Sequence, residues 1–219
     1  MKKKVIFPVA FILIMVSSAV YAQNVSLGLK ASTLGAGLEA ETSFSDTIGG
    51  RIGINYFEYD FNGTKDDIDY DFDVTLFSVS ALLDWHPFKG GFRVSGGVLY
   101  NGNEIDADAR SSATYEIGNS TYSASQVGSL TGEIDFNDIA PYAGVGWDTS
   151  FGKSGKFGLL VDAGVLYQGS PEVDFTANGP IASNQAFLND LAREEEDLEN
   201  EIDEYEYYPV ISIGFAYRF

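Results

Sequence analysis

The stretch Phe157-Gly158-Leu159-Leu160-Val161-Asp162-Ala163-Gly164-Val165-Leu166-Tyr167-Gln168 carries the reading of the fold. Its odd positions are apolar throughout, whereas its even positions carry Gly158, Asp162, Gly164 and Gln168 among two leucines. Apolar residues recurring every second position over a dozen residues place one side of an extended strand in a greasy medium. The final segment repeats the pattern, with Ile211, Ile213, Phe215, Tyr217 and Phe219 on one side and Ser212, Gly214, Ala216 and Arg218 on the other. Residues 25–31, 34–44, 48–56, 77–85, 92–100 and 139–147 alternate similarly, which brings the total to eight segments.

Eight segments, most of them about 9 to 11 residues once their flanks are included, alternating apolar and small or polar, match an antiparallel transmembrane β-barrel. A soluble barrel or sandwich would show the same period. Two features favour the membrane: the second face is rich in Gly, Ala and Ser, as a narrow lumen requires, and aromatics sit at segment ends. These are Tyr56, Trp85, Phe88, Tyr100, Trp147, Tyr167 and Phe219. Short turns at 45–47, 87–91 and 150–156 are expected on the periplasmic side, and long loops at 60–73, 101–132 and 169–207 outside. The hairpin turning near Ser32 and Thr33 is a short outer turn.

Lys2, Lys3 and Lys4 followed by an apolar run to Val16 read as an export signal, with Val20 and Ala22 preceding a cleavage site at Gln23. The run is shorter than the roughly 20 residues of a spanning helix. The expected organisation is a signal peptide over 1–22 and one barrel over 23–219. There is no cysteine, which removes thiol chemistry and cysteine-ligated metals.

The formal charge is −19 and becomes about −22 once the three signal lysines are lost. Nucleic acid is therefore not an expected partner. The acids gather outside the membrane segments, at Asp60, Asp66, Asp67, Asp69, Asp71 and Asp73, at Glu104, Asp106 and Asp108, and at Glu133 and Asp135. Asp67 to Asp73 lacks the central glycine and terminal glutamate of an EF-hand loop, and no metal or cofactor motif occurs. A carboxylate-ringed mouth would concentrate cations, bridge divalent ions to lipopolysaccharide, or simply solvate loops. Residues 184–203 place Leu188, Leu191, Leu198 and Ile202 at helical spacing among eight acids, the pattern of a short acidic helix that docks on the barrel rim or stays partly disordered.

Following the alternation, the charges expected in the lumen are Lys30, Glu39, Glu41, Arg51, Asp84, Arg93, Asp138, Asp162 and Arg218. They read either as a constriction selecting small solutes or as a salt-bridged plug. His86 is the only histidine and lies at a turn between Trp85 and Pro87, an interface position. No catalytic spacing is present, so an enzyme is not expected.

Three stretches, Ile139-Ala140-Pro141-Tyr142-Ala143-Gly144-Val145-Gly146, Gly164-Val165-Leu166-Tyr167-Gln168-Gly169-Ser170-Pro171-Glu172-Val173 and Glu206-Tyr207-Tyr208-Pro209-Val210, resemble the CarO-type ornithine-uptake porins. The acidic helical segment and the aromatic C-terminus are similar too. The resemblance implies an eight-stranded barrel in the outer membrane of a Gram-negative bacterium, assembled by the outer-membrane insertion machinery and in contact with lipid and lipopolysaccharide. It also implies slow passage of small basic amino acids such as ornithine, arginine and lysine. The alternative is a closed structural or surface-interaction barrel acting through its outer loops.

Overall fold

The computed structural model describes residues 25–65, 68–109, 114–149, 151 and 156–219. The expected signal peptide, and with it Asp66 and Asp67, lie outside the described residues. Eight antiparallel strands close on themselves: β1 (Val25–Ser32), β2 (Gly35–Ser43), β3 (Ile48–Lys65), β4 (Ile68–Trp85), β5 (Phe92–Asn101), then β10 (Ile139–Asp148), β11 (Phe157–Tyr167) and β13 (Tyr207–Arg218). Strand β13 pairs with β1 and completes the ring. Closure leaves no unpaired edge in the membrane, where a bare N–H or C=O has no water to bond.

Side chains on the outside of the ring are apolar and exposed, among them Leu29, Leu38, Ile52, Leu83, Val98, Val161, Ile213 and Phe215. Trp85, Phe88, Phe92, Trp147, Phe157, Tyr217 and Phe219 girdle the periplasmic end, and Tyr56, Phe77, Tyr100, Tyr167 and Tyr207 the outer end. The eight steps from Trp85 back to Phe77 on a strand tilted by about 40° span about 20 Å, close to the apolar band of such barrels. The β1–β2 turn needs Gly35, whose φ of +102° places the backbone against the Tyr56 carbonyl and the Phe57 Cβ. A side chain there would meet both a strained φ and a filled space.

The stretches read as long loops are largely ordered sheet. Strands β3 and β4 continue well past the membrane band, with Asp60 opposite Asp73 and Asn62 opposite Asp71. Beside the outer half of β4 lie β6 (Glu104–Ala109), β9 (Leu130–Asp135) and β12 (Glu172–Ala177), which extend the sheet to five strands outside the barrel. The reason is the same period of two, written here in acids and apolar residues. On one face stand Tyr70, Phe72, Val74, Ile105, Ala107, Ile134, Val173 and Phe175, and on the other a field of carboxylates.

The apolar face is partly roofed by the hairpin β7 (Thr114–Ile117) and β8 (Ser120–Ser123), the short helical turn Ala124–Val127 and the acidic helix Gln185–Glu201. Together they enclose a second core of Tyr115, Ile117, Val127, Leu130, Phe187 and Leu191. Asn184 starts the helix by accepting from the Ala186 and Phe187 N–H groups at 2.9 and 3.4 Å. The helix turns Phe187 and Leu191 inward, while Leu188, read as part of the buried stripe, is 41% exposed.

Candidate functional site: the lumen and the outer sheet

Even positions of β1, β4, β10, β11 and β13 and odd positions of β2, β3 and β5 point into the barrel. This parity brings Lys30, Glu39, Glu41, Arg51, Asp84, Arg93 and Asp162 together. Lys30 Nζ lies 2.8 Å from Glu39, and Arg51 Nη1 lies 3.2 Å from the same carboxylate. Arg51 reaches Asp84 through Nε at 2.6 Å, donates through Nη2 to Ser95 Oγ at 2.9 Å, and faces Asp162 at 3.5 Å. Ser95 in turn donates to Asp84 at 2.5 Å.

Arg93 forks onto Asp162 with Nε at 3.0 Å and Nη2 at 2.8 Å, and Ser212 donates to Asp162 at 3.3 Å. Its Nη1 stands 3.5 Å from Glu41. The result is a chain of alternating sign across the barrel interior, from β1 through β2, β3 and β11 to β5, with Asp84 of β4 branching from Arg51. Charges buried in this way demand partners, because an isolated one costs several kcal/mol.

On the outer side of this layer Leu34, Leu82, Leu99, Ala140, Tyr142, Leu166 and Val210 form an apolar layer, with Tyr208 against it. Gly144 and Gly164, opposite each other on β10 and β11, leave the space that the Tyr142 hydroxyl occupies. At the periplasmic end His86 is buried, donating from Nδ1 to the Gly90 carbonyl at 2.9 Å and stacked 3.4 Å from the Phe151 ring. It is therefore packed beneath Phe151 instead of lying at the headgroup interface. A pocket among the described residues, bordered by Lys30, Arg51, Asn55, Tyr142 and Asp162, holds about 30 Å³, room for one or two waters.

Two of the expected lumen charges stand apart from this network. Asp138 is exposed, because β10 begins only at Ile139. Arg218, the last residue of β13, is half-buried at the periplasmic end opposite Ser26, below the network. Conversely Asp148 is fully buried in the lumen and was missed, although it continues the even positions of β10 one residue beyond Trp147.

The outer sheet places carboxylates opposite carboxylates. One row runs Asp60, Asp73, Asp106, Glu133, Asp174 across all five strands. Burial, followed by the charges of Asp106, Glu133 and Asp135, raises the Glu104 carboxyl above the usual range, and burial with Asp174 and Asp138 raises Asp135. Oxygens of Glu104, Asp106 and Glu133 lie within 4.8 Å of one another, a partial ligand set for a hard cation. The helix acids have a different task. Glu199 and Glu195 accept the Val173 and Phe175 N–H groups at 3.1 and 2.9 Å, and Glu194 accepts from Gly118 at 3.0 Å. Carboxylates that read as solvated thus satisfy the outer edge of β12.

No protein-family model and no curated protein matches the chain. Among solved structures it is similar to CarO2 of Acinetobacter baumannii, with 22% identity over 90% of this chain and 98% of that one and a TM-score of 0.58. It is similar also to CarO of the same organism, with 20% identity, the same coverage and a TM-score of 0.56. Ail of Yersinia pestis aligns over 90% of this chain and 97% of its own at 15% identity and a TM-score of 0.37. The chain accordingly has the fold of a CarO-like small outer-membrane β-barrel, eight-stranded and closed, with an outer sheet and helix built on its rim.

Proposed function

We propose that this protein is an outer-membrane barrel whose lumen is closed and which acts through the sheet it holds above the membrane surface. The supporting observation is the filled cross-section: the Lys30, Glu39, Arg51, Asp84, Asp162, Arg93 network lies beneath an apolar layer, and the pocket bordered by Lys30, Arg51, Tyr142 and Asp162 holds about 30 Å³. Eight-stranded barrels are usually just wide enough for their own side chains. In this reading the signal segment directs export, the insertion machinery assembles the barrel, and lipid and lipopolysaccharide surround it.

A second reading, slow passage of small basic amino acids such as ornithine, arginine and lysine, is favoured by one observation. Among the described residues the buried lumen charges are five carboxylates, Glu39, Glu41, Asp84, Asp148 and Asp162, against Lys30, Arg51 and Arg93, with Arg218 half-buried at the periplasmic end, so a transient opening would admit cations. Single-channel recording of the refolded chain, residues 23–219, in ornithine and in glutamate salts separates the two. The closed reading expects no steps above background in either salt. Steps that favour ornithine would replace it with the transport reading.

A further inference from the structure

The two edges of the outer sheet are treated differently. At β12 the acidic helix lies along the edge, and Glu195 and Glu199 take up the N–H groups of Phe175 and Val173. At the other side is the outer half of β3. Strand β2 follows β3 only as far as the pair Ala36 with Tyr56, because the β1–β2 hairpin turns there. Residues 57–65 pair with β4 alone, and no strand among the described residues lies on their other side. The short hairpin thus leaves a notch in the barrel rim with a strand edge beside it.

This edge has two chemically distinct faces. Phe57, Tyr59 and Phe61 form a stacked aromatic ladder, with ring centroids 6.4 and 5.9 Å apart, continued to Phe72 at 4.9 Å. The three residues remain 46%, 56% and 41% exposed, beyond the roof that covers the rest of the apolar face. On the opposite face stand Glu58 and Asp60, the first members of the carboxylate rows that cross the sheet.

We propose that the outer edge of β3 receives an extended segment of a partner protein, added as a sixth strand, in which apolar residues alternate with lysine or arginine. The segment's apolar side chains pack on Phe57, Tyr59 and Phe61, and its basic side chains meet Glu58 and Asp60. Strand addition of this kind takes affinity from main-chain hydrogen bonds and specificity from alternate side chains. Charge complementarity selects the occupant. A second copy paired edge to edge would set Glu58 and Asp60 against their own equivalents, and like charges facing each other across a strand pair are unfavourable. The inference rests on the surface-acting reading and supplies it with a partner chemistry.

The test uses the refolded chain 23–219 in detergent micelles and two labelled heptapeptides, Lys-Val-Lys-Val-Lys-Val-Lys and Glu-Val-Glu-Val-Glu-Val-Glu. Saturable binding of the basic peptide alone is expected, weakened at least tenfold in the exposed double variant E58K/D60K. Amide exchange of residues 57–61 should slow when the peptide binds. Should E58K/D60K fail to fold, E58Q/D60Q is expected to weaken binding to a smaller but measurable degree. Equal binding of both peptides, or binding without slowed exchange at 57–61, would overturn the proposal, the second result meaning ionic adsorption to the acidic face. Dimers in sedimentation whose 57–61 amides are protected without peptide would overturn it in favour of self-pairing. A silent bilayer with no peptide binding removes this inference and leaves the closed-lumen reading intact, whereas conductance removes that reading whatever the peptide does.

Discussion

Replacing Arg51 by methionine keeps most of the side-chain volume and removes the charge on which the lumen network converges. Each of its partners is left in a different position. Glu39 retains Lys30 at 2.8 Å, and Asp162 retains the Arg93 fork. Asp84 loses its ion pair at 2.6 Å and keeps only the Ser95 hydroxyl, although its side chain has no exposed surface. Removing one member of a buried pair costs about 3–5 kcal/mol, since the other charge stays behind without compensation. At about 4 kcal/mol the unfolding equilibrium shifts by about a thousandfold. With a slope near 2 kcal/mol per molar urea, the midpoint falls by about 2 M.

The assay is urea unfolding of the inserted barrel, followed by the fluorescence of Trp85 and Trp147 in the periplasmic girdle. Adding Asp84→Asn to Arg51→Met removes the stranded charge, so the double variant should recover more than half of the loss. The reasoning fails if Arg51→Met loses less than about 1 kcal/mol. It fails also if the double variant is no more stable than the single one, because Asp84 would then not be the group that Arg51 compensates.

The second core should open while the barrel stays folded. Phe187→Ala is expected to cost about 3–5 kcal/mol of local stability, seen as protease cleavage within 178–203 while the heat-modifiable gel mobility of the barrel persists. Reversing Glu195 and Glu199 to lysine exposes the β12 edge and should speed amide exchange at Val173 and Phe175, whereas glutamine at both positions, still an acceptor, should preserve most of the protection. Exchange in β6 and β9 should also depend on pH. Glu104 and Asp135 have folded-state values raised above their ordinary 4.5 and 3.8, so the folded sheet binds protons more readily than the unfolded chain. Its stability should therefore rise as pH falls from neutral toward the ordinary values of 4.5 and 3.8 and be lost again on return, read from exchange corrected for intrinsic rates; a flat or opposite trend would contradict the raised carboxyls of the buried, acid-lined row.

Much of the outer sheet is written in the same code as the barrel, although its acids suggest loops. Asp69-Tyr70-Asp71-Phe72-Asp73-Val74 alternates as strictly as 157–168, and Glu172-Val173-Asp174-Phe175 repeats it. Acids at every second position suggest loop because a strand face so charged opposes itself across the ladder. The chain accepts that opposition where water reaches the acidic face and the other face is partly roofed by a helix and hairpin. The signal that could have revealed the sheet is the apolar partner between each pair of acids.

By itself the sequence pointed to the barrel: eight period-two segments, aromatic ends, and a small-residue second face that favours a closed sheet in lipid over a soluble sandwich. Parity along each strand also assigned Lys30, Glu39, Glu41, Arg51, Asp84, Arg93 and Asp162 to one side, since a side chain's direction is a local property of the pleat. What parity cannot supply is register between strands far apart in the chain. That register puts Arg93 of β5 on Asp162 of β11 and stops β2 at Tyr56, leaving a strand edge open. It also lets Glu195 and Glu199 of the helix cap β12. Those contacts join residues tens of positions apart, and only the packed fold decides which charges meet and which edge remains exposed.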